Sequence, residues 1–148
     1  MGKILGIDHG SVRIGIALSD ESASIAFGRE VIANDKKLIE KLKKIVLDEN
    51  VTQIIIGYPL SLKGKKTIQT EEVDSFDVLL RSSFIAAPFY NITISLWDER
   101  FTSKMAADSL IESGMKKKKR QDKSNLDIVS AALMLQSYLD NLKTNTKN

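Results

Sequence analysis

Apolar positions divide the chain into short strands and amphipathic helices. Lys3 to Asp8 is an apolar run that closes on an acid, Arg13 to Leu18 alternates, and Ile25 to Ile32 makes a third strand. Gly10-Ser11 marks the turn of an opening hairpin. From Asp35 to Asn50, Leu38, Leu42, Ile45 and Val46 recur at helical spacing among lysines and acids, and Asp35 is placed to cap the start. Val51 to Tyr58 is a β-branched run ending at Pro59, the pattern of a strand covered on both faces, as in a parallel sheet. A helix over Gln69 to Phe84, ending before Pro88, and a strand over Ile92 to Trp97 follow. Two helices finish the chain, Ser103 to Ser113 with Gly114 as its stop and Ser124 to about Leu142, before a polar tail from Thr144 to Asn148 that should fray. The order implies an α/β fold with a mixed five-stranded sheet, three antiparallel strands followed by two parallel ones, flanked by helices.

No Pro/Gly/Ser-rich linker interrupts the 148 residues, so one domain is expected. Cysteine is absent and His9 is the only histidine, which excludes disulfides, thiolate metal sites and imidazole clusters. Any metal must be held mainly by oxygen, which favours Mg²⁺ or Mn²⁺ over zinc. The N-terminus lacks the apolar stretch of a signal peptide, and runs such as Ile54-Ile55-Ile56 are too short to cross a bilayer; a cytoplasmic protein without membrane contact is expected. Net charge is only +3, but it is unevenly spread. Lys116-Lys117-Lys118-Lys119-Arg120 is an unbroken basic run and Lys63, Lys65 and Lys66 form a smaller cluster, patterns that suit a phosphate backbone or an ordinary solvated loop.

In open α/β sheets, sites form at the carboxyl ends of strands. Asp8 closes the first strand and Asp98-Glu99-Arg100 the last. If those strands were neighbours with aligned ends, Asp8 would face Asp98 or Glu99. Asp127 is the third candidate, in the first turn of the final helix, where Ser124-x-x-Asp127 also fits a capping box. The small pair Ala131-Ala132 would let that helix lie close to the sheet. Asp8 also fits an ordinary turn, and Glu99 a pair with Arg100. Three acids from three elements, with almost no other metal-binding side chain, match what two-metal phosphodiester cleavage requires. A lone histidine beside Asp8 is a poor case for triad chemistry, so His9 reads as a hairpin residue near the site.

These fragments together resemble the YqgF family of ribonuclease H-like proteins, described as Holliday junction resolvases and as nucleases that process small-subunit ribosomal RNA precursors. Leu5-Gly6-Ile7-Asp8-His9-Gly10 through Arg13-Ile14-Gly15 resembles its first motif and Ile54-Ile55-Ile56-Gly57-Tyr58-Pro59-Leu60 with Gly64 its second. Asp98-Glu99-Arg100-Phe101-Thr102-Ser103 with Ala106-Ala107, then Lys123, Leu126-Asp127 and Ala131-Ala132, resemble the third and fourth. The resemblance implies catalysis and metal ligation by Asp8, by Glu99 with Asp98 as its alternative, and by Asp127, around two Mg²⁺ or Mn²⁺ ions. Alternation along a strand favours Glu99 over Asp98. It also implies substrate contacts at Gly10, Arg13, Lys63 and Arg100, with Lys117, Lys118, Lys119 and Arg120 added by their charge. The expected partner is structured RNA or branched DNA, and a homodimer would match the two-fold symmetry of a four-way junction. His9 stands where the family usually has an apolar residue. Two other readings stay open: a non-catalytic ribosome-assembly factor on the same fold, and an actin-like phosphate-binding hairpin, for which the chain has only one of two lobes.

Overall fold

The computed structural model describes residues 2–102 and 123–146. Five strands, β1 (Lys3–His9), β2 (Arg13–Ser19), β3 (Ala26–Ala33), β4 (Val51–Tyr58) and β5 (Thr93–Asp98), form one sheet in the order β3-β2-β1-β4-β5. β1, β2 and β3 pair antiparallel, while β4 runs parallel to both β1 and β5. The mixed sheet expected from the hydrophobic pattern is therefore present. The strand order corrects one premise: β1 and β5 are not neighbours, because β4 lies between them.

Strand alternation sends side chains to two cores. Leu5, Ile7, Ile14, Ile16, Ile54 and Ile56 point to one face, where α1 (Leu38–Asp48) and α2 (Ile68–Ser83) cover them through Leu42, Ile45, Phe76 and Leu80. Ile4, Ala17, Ala26 and Ile55 point to the other and meet Ala131, Ala132, Leu135 and Leu139 of α3 (Lys123–Thr146). Burying a Leu or Ile contributes roughly 1.5–3 kcal/mol relative to exposure, so each layer is strongly held.

α3 lies very close to the sheet because glycine forms part of the floor. A Cβ on Gly15 would overlap the backbone carbonyl of Asp127, and one on Gly28 would overlap Ile128. Above this floor, the buried side chain of Gln136 accepts the Ala26 N–H at 2.8 Å and donates to the Ser24 carbonyl at 3.0 Å. Trp97 donates to Ser137 Oγ at 2.7 Å, tying β5 to the same helix.

Helix limits differ from expectation in physically explicable ways. Asp35 does not cap α1: its carboxylate accepts the Lys37 N–H at 2.9 Å, folding a turn ahead of the helix, and Lys37 takes the cap position with no side-chain bond. Thr67 caps α2 through a reciprocal capping box with Thr70, a pair outside the usual Glu/Gln pattern. The last helix, α3, continues to Thr146, past the expected end near Leu142. The helix expected over Ser103 to Ser113 and the basic run at 116–120 lie outside the described residues.

Candidate active site

Asp8 is carried by the α3 face of β1, two residues beyond Gly6, at the carboxyl end of a strand whose inner positions are fully apolar. On the far side of β4, β5 ends at Asp98, and Glu99 begins a short 3₁₀ turn, Glu99–Phe101. Glu99 reaches Asp8 across β4 because the intervening position is Gly57. A Cβ on Gly57 would overlap Glu99 Oε1. The two acids line a small pocket of about 230 Å³ with Thr102, Ser130, Leu133 and Met134.

Two carboxylates cannot both ionise in such a place. Burial first, then the charge and hydrogen bond of Glu99 and the charge of Asp127, push the Asp8 carboxyl from 3.8 up to about 8. Glu99 is also raised, by burial and then by the charge of Asp98, while its hydrogen bond with Asp8 acts the other way. The two carboxyl groups share a hydrogen bond, and the pair holds a proton more tightly than free carboxyls do.

Asp98 and Glu99 separate at the turn rather than by strand alternation, since Glu99 lies past the strand. Asp98 caps the turn by accepting the Arg100 N–H at 2.9 Å and holds the Arg100 guanidinium at 2.6–3.1 Å. That pairing keeps the Asp98 carboxyl below its usual range. Arg100 also lies beside Gly64, whose φ of +79° suits glycine, in the loop carrying Lys63.

Asp127 lies more than a turn inside α3, past any capping position, and its carboxylate accepts from Arg13 Nε at 2.7 Å. It contributes charge at Asp8 without joining the Asp8–Glu99 contact. Among the described residues no three His, Asp or Glu side chains stand close enough together to hold one ion. Gly10 is required by the hairpin, because a Cβ there would overlap the Arg13 carbonyl. His9 points to the opposite face, where its ring meets Phe76 and burial lowers its affinity for a proton.

The sequence reading missed Gly57 as the opening through which Glu99 passes, and it missed Asp74. That carboxylate accepts from Tyr58 Oη and from Lys66 Nζ, each at 2.9 Å, pinning the 60–66 loop against α2 beside the site. A Lys and an Asp eight residues apart on two elements carry no local signal.

A family profile described as "RuvX: Holliday junction resolvase" matches residues 2–141. The chain belongs to this family. Its members include proteins named "Putative pre-16S rRNA nuclease". The one from Flavobacterium psychrophilum is 40% identical over 139 residues, covering 94% of this chain and 97% of that protein. The one from Amoebophilus asiaticus is 38% identical over 143 residues, covering 97% of each. Among solved structures, Thermus thermophilus RuvC in complex with a Holliday junction substrate superposes with a TM-score of 0.64 at 11% identity, over 99% of this chain and 98% of that one. The yeast mitochondrial Holliday junction resolvase Ydc2 superposes with a TM-score of 0.61 at 14% identity, over 97% and 81%. At these identities the structural likeness speaks for the ribonuclease H-like fold. Family membership makes the chain one of the nucleases, enzymes that hydrolyse phosphodiester bonds.

Proposed function

We propose that this protein is a divalent-metal-dependent endonuclease that processes the 5′ end of the small-subunit ribosomal RNA precursor, with Asp8, Glu99 and Asp127 holding the metal. The observation that carries this reading is the Asp8–Glu99 contact across Gly57. Two carboxyl groups are held together at a strand end with a proton between them, where a hard cation would remove the repulsion that raises both. The donor set suits Mg²⁺ or Mn²⁺: every candidate ligand is a carboxylate oxygen, and the chain has no cysteine. Asp127, paired with Arg13, does not reach the two acids, and would complete the ligand set only by moving toward them when an ion binds.

When bound, a pair of such ions neutralises the scissile phosphate, activates the attacking water and stabilises the leaving oxygen. The chain's own residues do the remaining work. Glu99 and Asp8 offer charge from two strand ends, Gly10 keeps the hairpin tight beside them, and Arg100 holds Asp98 out of the way. Lys63 and the basic run Lys117, Lys118, Lys119 and Arg120 supply the positive charge that draws a phosphate backbone.

Relatives named for the ribosomal RNA precursor match at far higher identity than the resolvase structures, which favours RNA. The family description keeps four-way DNA junctions as a second substrate, for which a homodimer would be needed. Purified protein should be incubated with a precursor RNA spanning the mature 5′ end and with a four-way junction, with and without Mg²⁺ or Mn²⁺. Metal-dependent cleavage of the RNA, abolished by Asp8→Asn and Glu99→Gln, is expected. Cleavage of the junction alone would move the assignment to resolution. No metal-dependent cleavage of either, or full activity in Asp8→Asn, would overturn the nuclease mechanism, and tight binding without cleavage would identify an assembly factor.

A further inference from the structure

The strand residue after Asp8 opens a second cavity. His9 faces the α1–α2 side of the sheet and forms one wall of an open pocket of about 550 Å³, more than twice the acidic pocket. Its ring meets that of Phe76 with centroids 4.8 Å apart and planes inclined at 38°. Leu79 adds a half-exposed apolar wall, while Asn34, Glu72 and Ser75 place polar groups around it. Asn34 is fixed in place: its amide donates to the Gly10 carbonyl at 2.9 Å and the Ser11 carbonyl at 3.3 Å, and stands 3.4 Å from His9 Nε2. The site thus combines a flat ring, an apolar floor and a ring of donors and acceptors, within the size range of small-molecule pockets.

Its position relates it to the acids. Asp8 and His9 are consecutive, with Cα atoms about 3.8 Å apart, and their side chains leave opposite faces of the strand end, so the two pockets lie on either side of it. A nucleic-acid strand with a phosphate at Asp8 that crossed this strand end would bring a neighbouring nucleotide over the His9 cavity.

We propose that the His9 cavity receives an unpaired nucleobase of the strand being cut, stacked on the imidazole with Asn34 and Glu72 facing the base edge. Only a splayed base can enter, because in a duplex the base faces are covered by their neighbours. The cavity therefore selects an unpaired nucleotide beside the cleavage point. This rests on the reading of Asp8 as the phosphate site.

His9 is the only histidine, so its imidazole resonance is a unique reporter. The full chain should be titrated in EDTA with an unstructured 12-nucleotide RNA and, separately, with a fully paired duplex of the same length, following the His9 ring by NMR and affinity by fluorescence anisotropy. The single strand is expected to shift the His9 resonance and the duplex to leave it in place. His9→Ala should weaken single-strand binding about tenfold, in the range of base stacking on an aromatic. His9→Phe should restore most of it. Leu79→Glu, at an exposed position that leaves folding intact, should weaken it similarly, and duplex affinity should stay unchanged in all three. An unmoved His9 resonance at saturation, an equal shift with duplex, no binding, or unchanged affinity in both His9→Ala and Leu79→Glu would overturn the proposal. A shifted His9 resonance in a protein that never cleaves would overturn the metal mechanism while leaving this cavity's role intact.

Discussion

Replacing Asp8 with Asn keeps the side chain's shape and its ability to donate to Glu99 while removing the charge that the pocket resists. In the metal-free protein the Asp8 carboxyl ionises at about 8 rather than 3.8. Its folded value lies above its unfolded value, so its contribution to stability is complete below about pH 4 and is lost progressively as pH rises to about 8. Four units at 1.36 kcal/mol each set a ceiling of about 5 kcal/mol. Water entering the pocket relaxes part of that penalty, so we expect a loss of about 2–4 kcal/mol by pH 9. For a chain of this size that is roughly 5–12 °C in Tm. The assay is urea or thermal unfolding in EDTA at pH 5, 7 and 9, read as the difference between wild type and Asp8→Asn so that titrating groups outside the Asp8–Glu99 pair cancel. The variant should be the more stable protein at pH 9, with about three quarters of the gap opening between pH 5 and 8. Excess Mg²⁺ or Mn²⁺ should close the gap by stabilising wild type alone. A difference that stays below about 0.5 kcal/mol between pH 5 and 9 would refute the claim that the fold forces a charge-averse pair.

Three further changes probe how the site is assembled. Gly57→Ala puts a methyl group where Glu99 Oε1 lies; the long side chain can swing aside, so stability should change by less than about 1 kcal/mol while metal-dependent cleavage falls about 10- to 100-fold. Equal loss of Tm and activity would show a packing effect instead. Gly15→Ala meets the rigid Asp127 backbone carbonyl and should cost about 3 kcal/mol, an overpacking penalty measurable by urea unfolding; a neutral result would mean that α3 can ride away from the sheet. Arg13→Gln should cost less than about 1 kcal/mol, as expected for a one-third-exposed ion pair. It should nonetheless raise the metal concentration needed for half-maximal activity about 10-fold or more, because Asp127 loses its orienting partner; an unchanged metal requirement would remove Arg13 from the site.

Element order and the buried face of each strand were legible because they are local properties. Val51 to Tyr58 reads as a doubly covered strand from its own composition, and Leu38, Leu42, Ile45 and Val46 mark the face of α1 without reference to anything else. Asp8 was visible for the same reason, an acid ending an apolar run. The errors lie where a side chain had more than one local partner: Asp35 folds a preceding turn instead of capping α1, and Thr67, which was overlooked, caps α2.

Which distant elements lie side by side is a matter of how the whole chain packs. Periodicity states which face is buried but not which strand is its neighbour, so nothing local placed β4 between β1 and β5. The contact between Asp8 and Glu99 then depends on Gly57, whose importance is defined by what stands opposite it. Likewise the Arg13–Asp127 pair joins residues 114 positions apart, through an approach of α3 that Gly15 permits. Local pattern is enough for a strand-end acid, the mixed sheet and the helices that cover it. The close packing of α3 and the crossing at Gly57 decided that two acids share one pocket, because steric room is a property of the assembled chain.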